Sequence, residues 1–163
     1  MGIADYLLRE LEQEAKTTRP VLERIPPAKL GWKPHERSMS LGQLAQHVAH
    51  TPGAIASSSV PDSYPVESFK PEPEASGIED ILKAHEASMT TAKSVLADLD
   101  DAKAAAPWSM TAGGAAILTV TRYEWLRTYM LNHWYHHRGQ LCVYLRELNI
   151  PVPAVYGPSA DEK

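Results

Sequence analysis

Residues 126–148 read LRTYMLNHWYHHRGQLCVYLREL. Leu126, Met130, His133, His137, Leu141, Tyr144 and Leu148 recur at spacings of three and four, the repeat of one helical face. The pattern predicts a long helix from about Thr121 to Asn149, and its apolar face demands partners. Three segments upstream offer them. Ala4, Leu8, Leu11, Ala15, Thr18, Leu22 and Ile25 form a first stripe, ended by Pro26-Pro27, which cannot continue a helix. A second helix is expected from Leu41 to Ser57, with Ser40 as N-cap, Gln43 completing a capping box and Pro52 as a kink. Ile78, Leu82, His85, Met89, Ala92, Leu96 and Leu99 form the third stripe.

Between these lie three connections, at 28–39, 58–76 and 100–114, marked by proline, glycine and serine. Residues 115–120 (AAILTV) fit either a short strand or the first turns of the last helix. Four amphipathic segments with little strand signal predict an all-α fold, a four-helix bundle with long connections, as a single domain over 1–163. The proline-bearing tail from Ile150 is expected to be extended and on the surface.

Composition narrows the function classes. The 163 residues are 44% hydrophobic and 22% charged, a globular balance, with a formal charge of −4. No cluster of Lys and Arg stands out, which argues against a nucleic-acid partner. No apolar run approaches the ~20 residues of a membrane-spanning helix. The N-terminus has no signal-like apolar stretch, and Tyr6 stands where a myristoylation motif wants Ser or Thr. A lone Cys142 excludes an internal disulfide, so a cytoplasmic protein is expected.

Seven histidines are the chemical signal. His133 and His137 lie one turn apart and take places that the last stripe otherwise gives to apolar residues. Two adjacent imidazoles are costly to bury unless their nitrogens find partners, and a divalent metal is one such partner. Hydrogen-bonded core histidines are the other reading. A third ligand would come from another helix. His47 flanks the apolar sector of the second helix, and His85 lies within the third stripe. His50 is expected to face solvent, His35 lies in a loop, and His136 points about 100° away from His137.

The string from His133 through His137, Arg138, Gly139 and Gln140 to Arg146 resembles the C-terminal helix signature of the DinB/YfiT-like superfamily. So does the tail from Pro151 through Tyr156 to Glu162, and the segment Ser40–Ala49 resembles that family's second-helix motif. Leu30, Trp32 and Pro34 add to the likeness, which spans nearly the whole chain. It implies a four-helix bundle, usually a homodimer, holding a divalent transition metal on His47, His133 and His137. Zn, Ni or Fe suits imidazole ligands. It further implies a metal-dependent enzyme, such as a thiol-dependent S-transferase or a hydrolase acting on a small molecule, with a small-molecule thiol or electrophile as partner. A non-catalytic bundle with a structural metal, or a dimeric binding or stress-response protein, is the alternative. Gln43, Glu124, Tyr129 and Gln140 are the candidates to orient the imidazoles. Gly139 is expected to permit close helix approach, and Cys142 to be a small buried residue.

Overall fold

The computed structural model describes residues 2–162. Its long helices are α1 (Ile3–Glu23), α2 (Leu41–Ser58) and α3 (Ile78–Ala97). A short α4 (Asp101–Ala105) follows, then a rod in which α5 (Arg122–Trp125), a π-helical segment (Leu126–Asn132) and α6 (His133–Glu147) run without a break.

The all-α expectation is corrected by a small sheet of strands β1 (Ser63–Pro65), β2 (Pro107–Ala112) and β3 (Ala115–Thr121), in the order β1-β2-β3. Strands β2 and β3 are antiparallel, with Trp108 opposite Val120 and Ala112 opposite Ala115. The two residues left between them, Gly113 and Gly114, have φ of +54° and +84°. A two-residue hairpin loop with both φ positive matches the strand twist, and glycine adopts it without a Cβ penalty. Gly-Gly between two apolar runs thus marks a hairpin here, and 115–120 is a strand. The connection at 58–76 is not all loop either, because β1 pairs in parallel with β2.

Helix α2 is the centre of the packing. Leu41, Leu44, Ala45, Val48, Ala49 and Ala56 are fully buried along it. Its start is the expected capping box: Gln43 N donates to Ser40 Oγ (3.1 Å) and Ser40 N to Gln43 Oε1 (3.0 Å). The helix continues through Pro52, and the disturbance is met from outside. Proline has no N–H, so the Val48 carbonyl four residues back loses its helical donor. The buried Trp134 indole donates to that carbonyl instead, at 2.8 Å. One residue on, Gly53 N donates to Ser88 Oγ of α3 at 2.7 Å. A Cβ on Gly53 would stand 2.8 Å from Ser88 Cα, so glycine is what lets α2 and α3 approach. Gly139, the expected contact glycine, is exposed and would meet nothing within 4 Å.

The C-terminal carbonyls of α2 find partners in the sheet and the rod. Trp108 Nε1 donates to Ser58 O, Trp125 Nε1 to Ser58 Oγ and Arg122 Nε to Ser59 O. Arg122 also pairs with Asp62 at 2.6 Å, which fixes the chain just before β1. Arg138 is 2% exposed and ion-pairs with Glu14 of α1 at 2.7 Å. The Tyr156 hydroxyl donates to Glu14 and accepts from Arg138, so the irregular tail is clasped across α1 and α6. Among the described residues, no helix is long and apolar enough to cross a membrane.

Candidate metal centre

The buried stripe of the rod is Leu126, Met130, Trp134, Arg138, Leu141 and Leu145. Leu126, Met130 and Leu141 are the expected residues, but Trp134, Arg138 and Leu145 take the places of His133, His137 and Tyr144, and His133 and His137 sit beside the stripe, half-buried. The π segment puts one extra residue before α6, so Trp134 takes the place facing α2 and the histidines stand at the edge of the core. There they meet His47 from α2. His47 Nε2 and His133 Nε2 are 3.0 Å apart, and one ring nitrogen from each of His47, His133 and His137 lies within 4.8 Å of the others. Ring centroids are 5.2 Å (His47–His133), 4.4 Å (His47–His137) and 4.3 Å (His133–His137).

These spacings suit a cation. Imidazole nitrogens bound tetrahedrally at about 2.0–2.1 Å lie roughly 3.4 Å from one another, within the range seen here. The outer nitrogens also fit. His137 Nδ1 meets Gln140 Oε1 at 2.7 Å, and His47 Nδ1 faces Glu72 Oε1 at 3.5 Å. An acceptor at Nδ1 keeps the proton there and leaves the Nε2 lone pair facing inward. Burial, reinforced by repulsion from His47, lowers His137 to about 4 and also depresses His133. Both rings are therefore neutral at physiological pH, the form that can ligate.

Glu72 is the residue that sequence reasoning missed. It stands in the connection between β1 and α3, where helical periodicity offers no signal. Its carboxylate also takes His50 Nδ1 at 2.9 Å, so His50 is ion-paired and half-buried rather than turned to water. Burial alone would raise the Glu72 carboxyl, but hydrogen bonds from His47 and His50 outweigh it and bring Glu72 down to about 2. The same bond raises His50.

The other candidates are placed elsewhere. Gln43 caps α2, and Glu124 caps α5, accepting from Thr121 N at 2.7 Å. His85 is buried in α3 with its ring 6.1 Å from Trp134, and its Nδ1 has no hydrogen-bond partner among the described residues. His136 stays on the surface, bonded to Gln140 Nε2. Cys142 is half-buried, and burial raises its thiol.

Tyr129 lies beside the cluster and, among the described residues, bonds to none of the three imidazoles. It lines a cavity of about 280 Å³ that also reaches His47 and His133. The loop before α3 closes one side of this cavity with Val66, Phe69 and Glu72. Trp108 and Trp125 stack at 4.0 Å, Trp125 and Tyr129 are 4.3 Å apart, and Tyr129 is 6.4 Å from His133. An aromatic row thus runs from the hairpin to the histidines. Trp125, Tyr129, His133 and His137 follow one another at intervals of four. Four residues overshoot one α-helical turn by about 40°, whereas the wider i→i+5 turn of the π segment undershoots. The widened turn offsets the drift and keeps the four rings along one side of the rod.

Fold and site together define a class: a helical protein, capped by a small sheet, whose three half-buried histidines from two helices could hold a metal ion. Solved structures share this fold. A DinB-like protein from Bacillus cereus ATCC 10987 matches with a TM-score of 0.73 and 21% identity, over 92% of this chain and 95% of that one. The DinB-like protein YjoA from Bacillus subtilis matches with 0.71 and 21%, over 97% and 99%. A member of the DinB family from Exiguobacterium sibiricum 255-15 gives 0.67 and 20%, over 99% and 97%. In sequence, YrdA of Bacillus subtilis strain 168 is 25% identical over 159 residues, which are 97% of this chain and 90% of that protein. The DinB family model matches residues 1–163, and the chain belongs to the DinB family.

Proposed function

We propose that His47, His133 and His137 hold a divalent transition metal, Zn, Ni or Fe, and that the centre acts on a small molecule. The observation that carries the reading is the convergence of three imidazoles, one with its Nδ1 facing Glu72 and one with its Nδ1 bonded to Gln140. A cation between the rings would take up all three lone pairs at once, whereas a proton shared by His47 Nε2 and His133 Nε2 at 3.0 Å would serve two. Structural zinc sites are closed by four protein ligands, whereas three leave room for a guest. Among the described residues the cluster comprises three such donors, and it borders a cavity.

What the cation supplies when bound is Lewis acidity, which lowers the pKa of a thiol or water completing its coordination. This chain's own residues do the rest. Glu72 and Gln140 orient the imidazoles. Phe69, Trp125 and Tyr129 exclude water from one side. The reaction class this favours is transfer to or from a small thiol, or hydrolysis.

The test is elemental analysis of protein purified without chelators or metal-affinity tags, beside the variant His47→Ala. One equivalent of metal in the parent and clear loss in the variant is the expected outcome. Full stoichiometry and unchanged affinity in His47→Ala would remove His47 from the ligand set. A metal-free parent that takes up none of the three ions would end the reading.

A further inference from the structure

We infer that the cavity beside the three histidines is a binding pocket for a small molecule with one aromatic ring and an anionic donor group at its near end. The donor end rests on the metal reading above; the ring end does not. The volume sets the size. A 150 Å³ cavity lined by apolar side chains is known to hold benzene, and this one is about 280 Å³. That leaves room for one ring and a short substituent.

The lining sets the chemistry. On the rod and loop sides stand Phe69, Trp125 and Tyr129, with the Met110 thioether from β2. Ring faces and edges, and sulfur, are favourable neighbours for another ring. On the α2 side stand Thr51, Ala54 and Ile55, and the Thr51 hydroxyl is already spent on His47 O at 2.6 Å. Aromatic walls opposite aliphatic side chains suit a flat molecule. The polar groups His47, His133 and Glu72 are neighbours of one another, and the Lys70 ammonium, also at the lining, donates to Glu67 O at 3.0 Å. A ligand with a polar head and an apolar ring therefore has one orientation that satisfies both ends, head toward the histidines and ring along Trp125 and Tyr129.

Two hydroxamates separate ring from head. Benzohydroxamate and acetohydroxamate carry the same donor group and differ in the ring. Both are titrated calorimetrically into zinc-loaded protein and into Ala54→Phe, which fills the cavity from an exposed position of α2. Zinc content is measured on each sample. Benzohydroxamate is expected to bind the parent at least tenfold tighter than acetohydroxamate, and Ala54→Phe to abolish that preference while zinc content stays unchanged. Equal affinity for the two ligands, or equal weakening of both by Ala54→Phe, would overturn the proposal.

The ring end is tested without metal by titrating toluene into metal-free protein. The Met110 methyl and Trp125 indole NMR signals are expected to shift, and their staying put as toluene is added would equally overturn it. If zinc fails to bind while toluene still shifts those signals, the metal reading falls and the aromatic pocket stands.

Discussion

The junction at Pro52 permits a quantitative test of how α6 is docked. Trp134→Phe removes the indole N–H that Val48 O accepts at 2.8 Å. With proline at position 52 no helical amide can replace it, so a buried carbonyl is left without a donor, at a cost of about 1–3 kcal/mol. The smaller ring also leaves a void of roughly 40 Å³, worth about 1 kcal/mol at ~24 cal/mol per Å³. The total loss expected is about 2–4 kcal/mol. In a Pro52→Ala background the amide of residue 52 returns to Val48 O, and Trp134→Phe should then cost only the void, about 1 kcal/mol. The coupling in the double-mutant cycle is therefore about 1–3 kcal/mol. Urea unfolding of the four proteins, followed by far-ultraviolet circular dichroism, measures it. If Trp134→Phe costs the same in both backgrounds, to within ~0.5 kcal/mol, the carbonyl is satisfied some other way and the reasoning fails.

Three further outcomes are expected. Glu72→Gln should weaken metal binding about 10–100-fold in a chelator competition, because His47 loses the carboxylate facing its outer nitrogen; unchanged affinity would leave Glu72 with no orienting role. Gly53→Ala should destabilise by about 1–3 kcal/mol because its methyl meets Ser88 backbone atoms, while Gly139→Ala, in open space, should be neutral or stabilising by up to ~1 kcal/mol; thermal melts showing the reverse order would contradict the packing described. Burial, with repulsion from Arg19, holds His85 down at about 4. Between pH 6.5 and about 4 the unfolded chain therefore takes up a proton that the folded chain refuses. The stability linked to this group is complete above pH 6.5 and declines on acidification by up to about 3 kcal/mol. The stability curve of metal-free His85→Phe should lack that part of the decline, and curves that stay parallel to the parent's would count against it.

The helices were legible because each buries a stripe, and a repeating stripe is written into the sequence. The capping box at Ser40 and Gln43 was legible for a similar reason, being local. The hairpin was harder to see: its decisive signal is Gly113-Gly114, which reads as a helix breaker until paired with the apolar runs on either side. The histidines were recognisable as a set, but their depth was not. Regular helical period puts His133 and His137 in the core, whereas the π segment before them shifts the phase and leaves them at its edge. Glu72 was out of reach, because its approach to His47 depends on how the chain from Arg122-bound Asp62 to α3 is laid over the rod. Arg138 gives the same lesson from the other side: a charged residue in a helix normally reads as solvated, and only Glu14 and Tyr156, distant in sequence, show why it is inside.

The stretch Leu126–Asn132 holds one residue more than a regular helix would need there. Deleting a single codon in it would let the rod relax into uniform geometry. Everything upstream, Trp125 and the hairpin included, would keep nearly the same rotation relative to the histidines, because the seven-residue segment turns about as far as six residues of regular helix. The wide turn thus takes up an inserted residue on the spot and spares the elements on either side a swing of about 100°. A lineage carrying this scaffold can gain or lose that residue while the imidazoles and the wall they face stay in place.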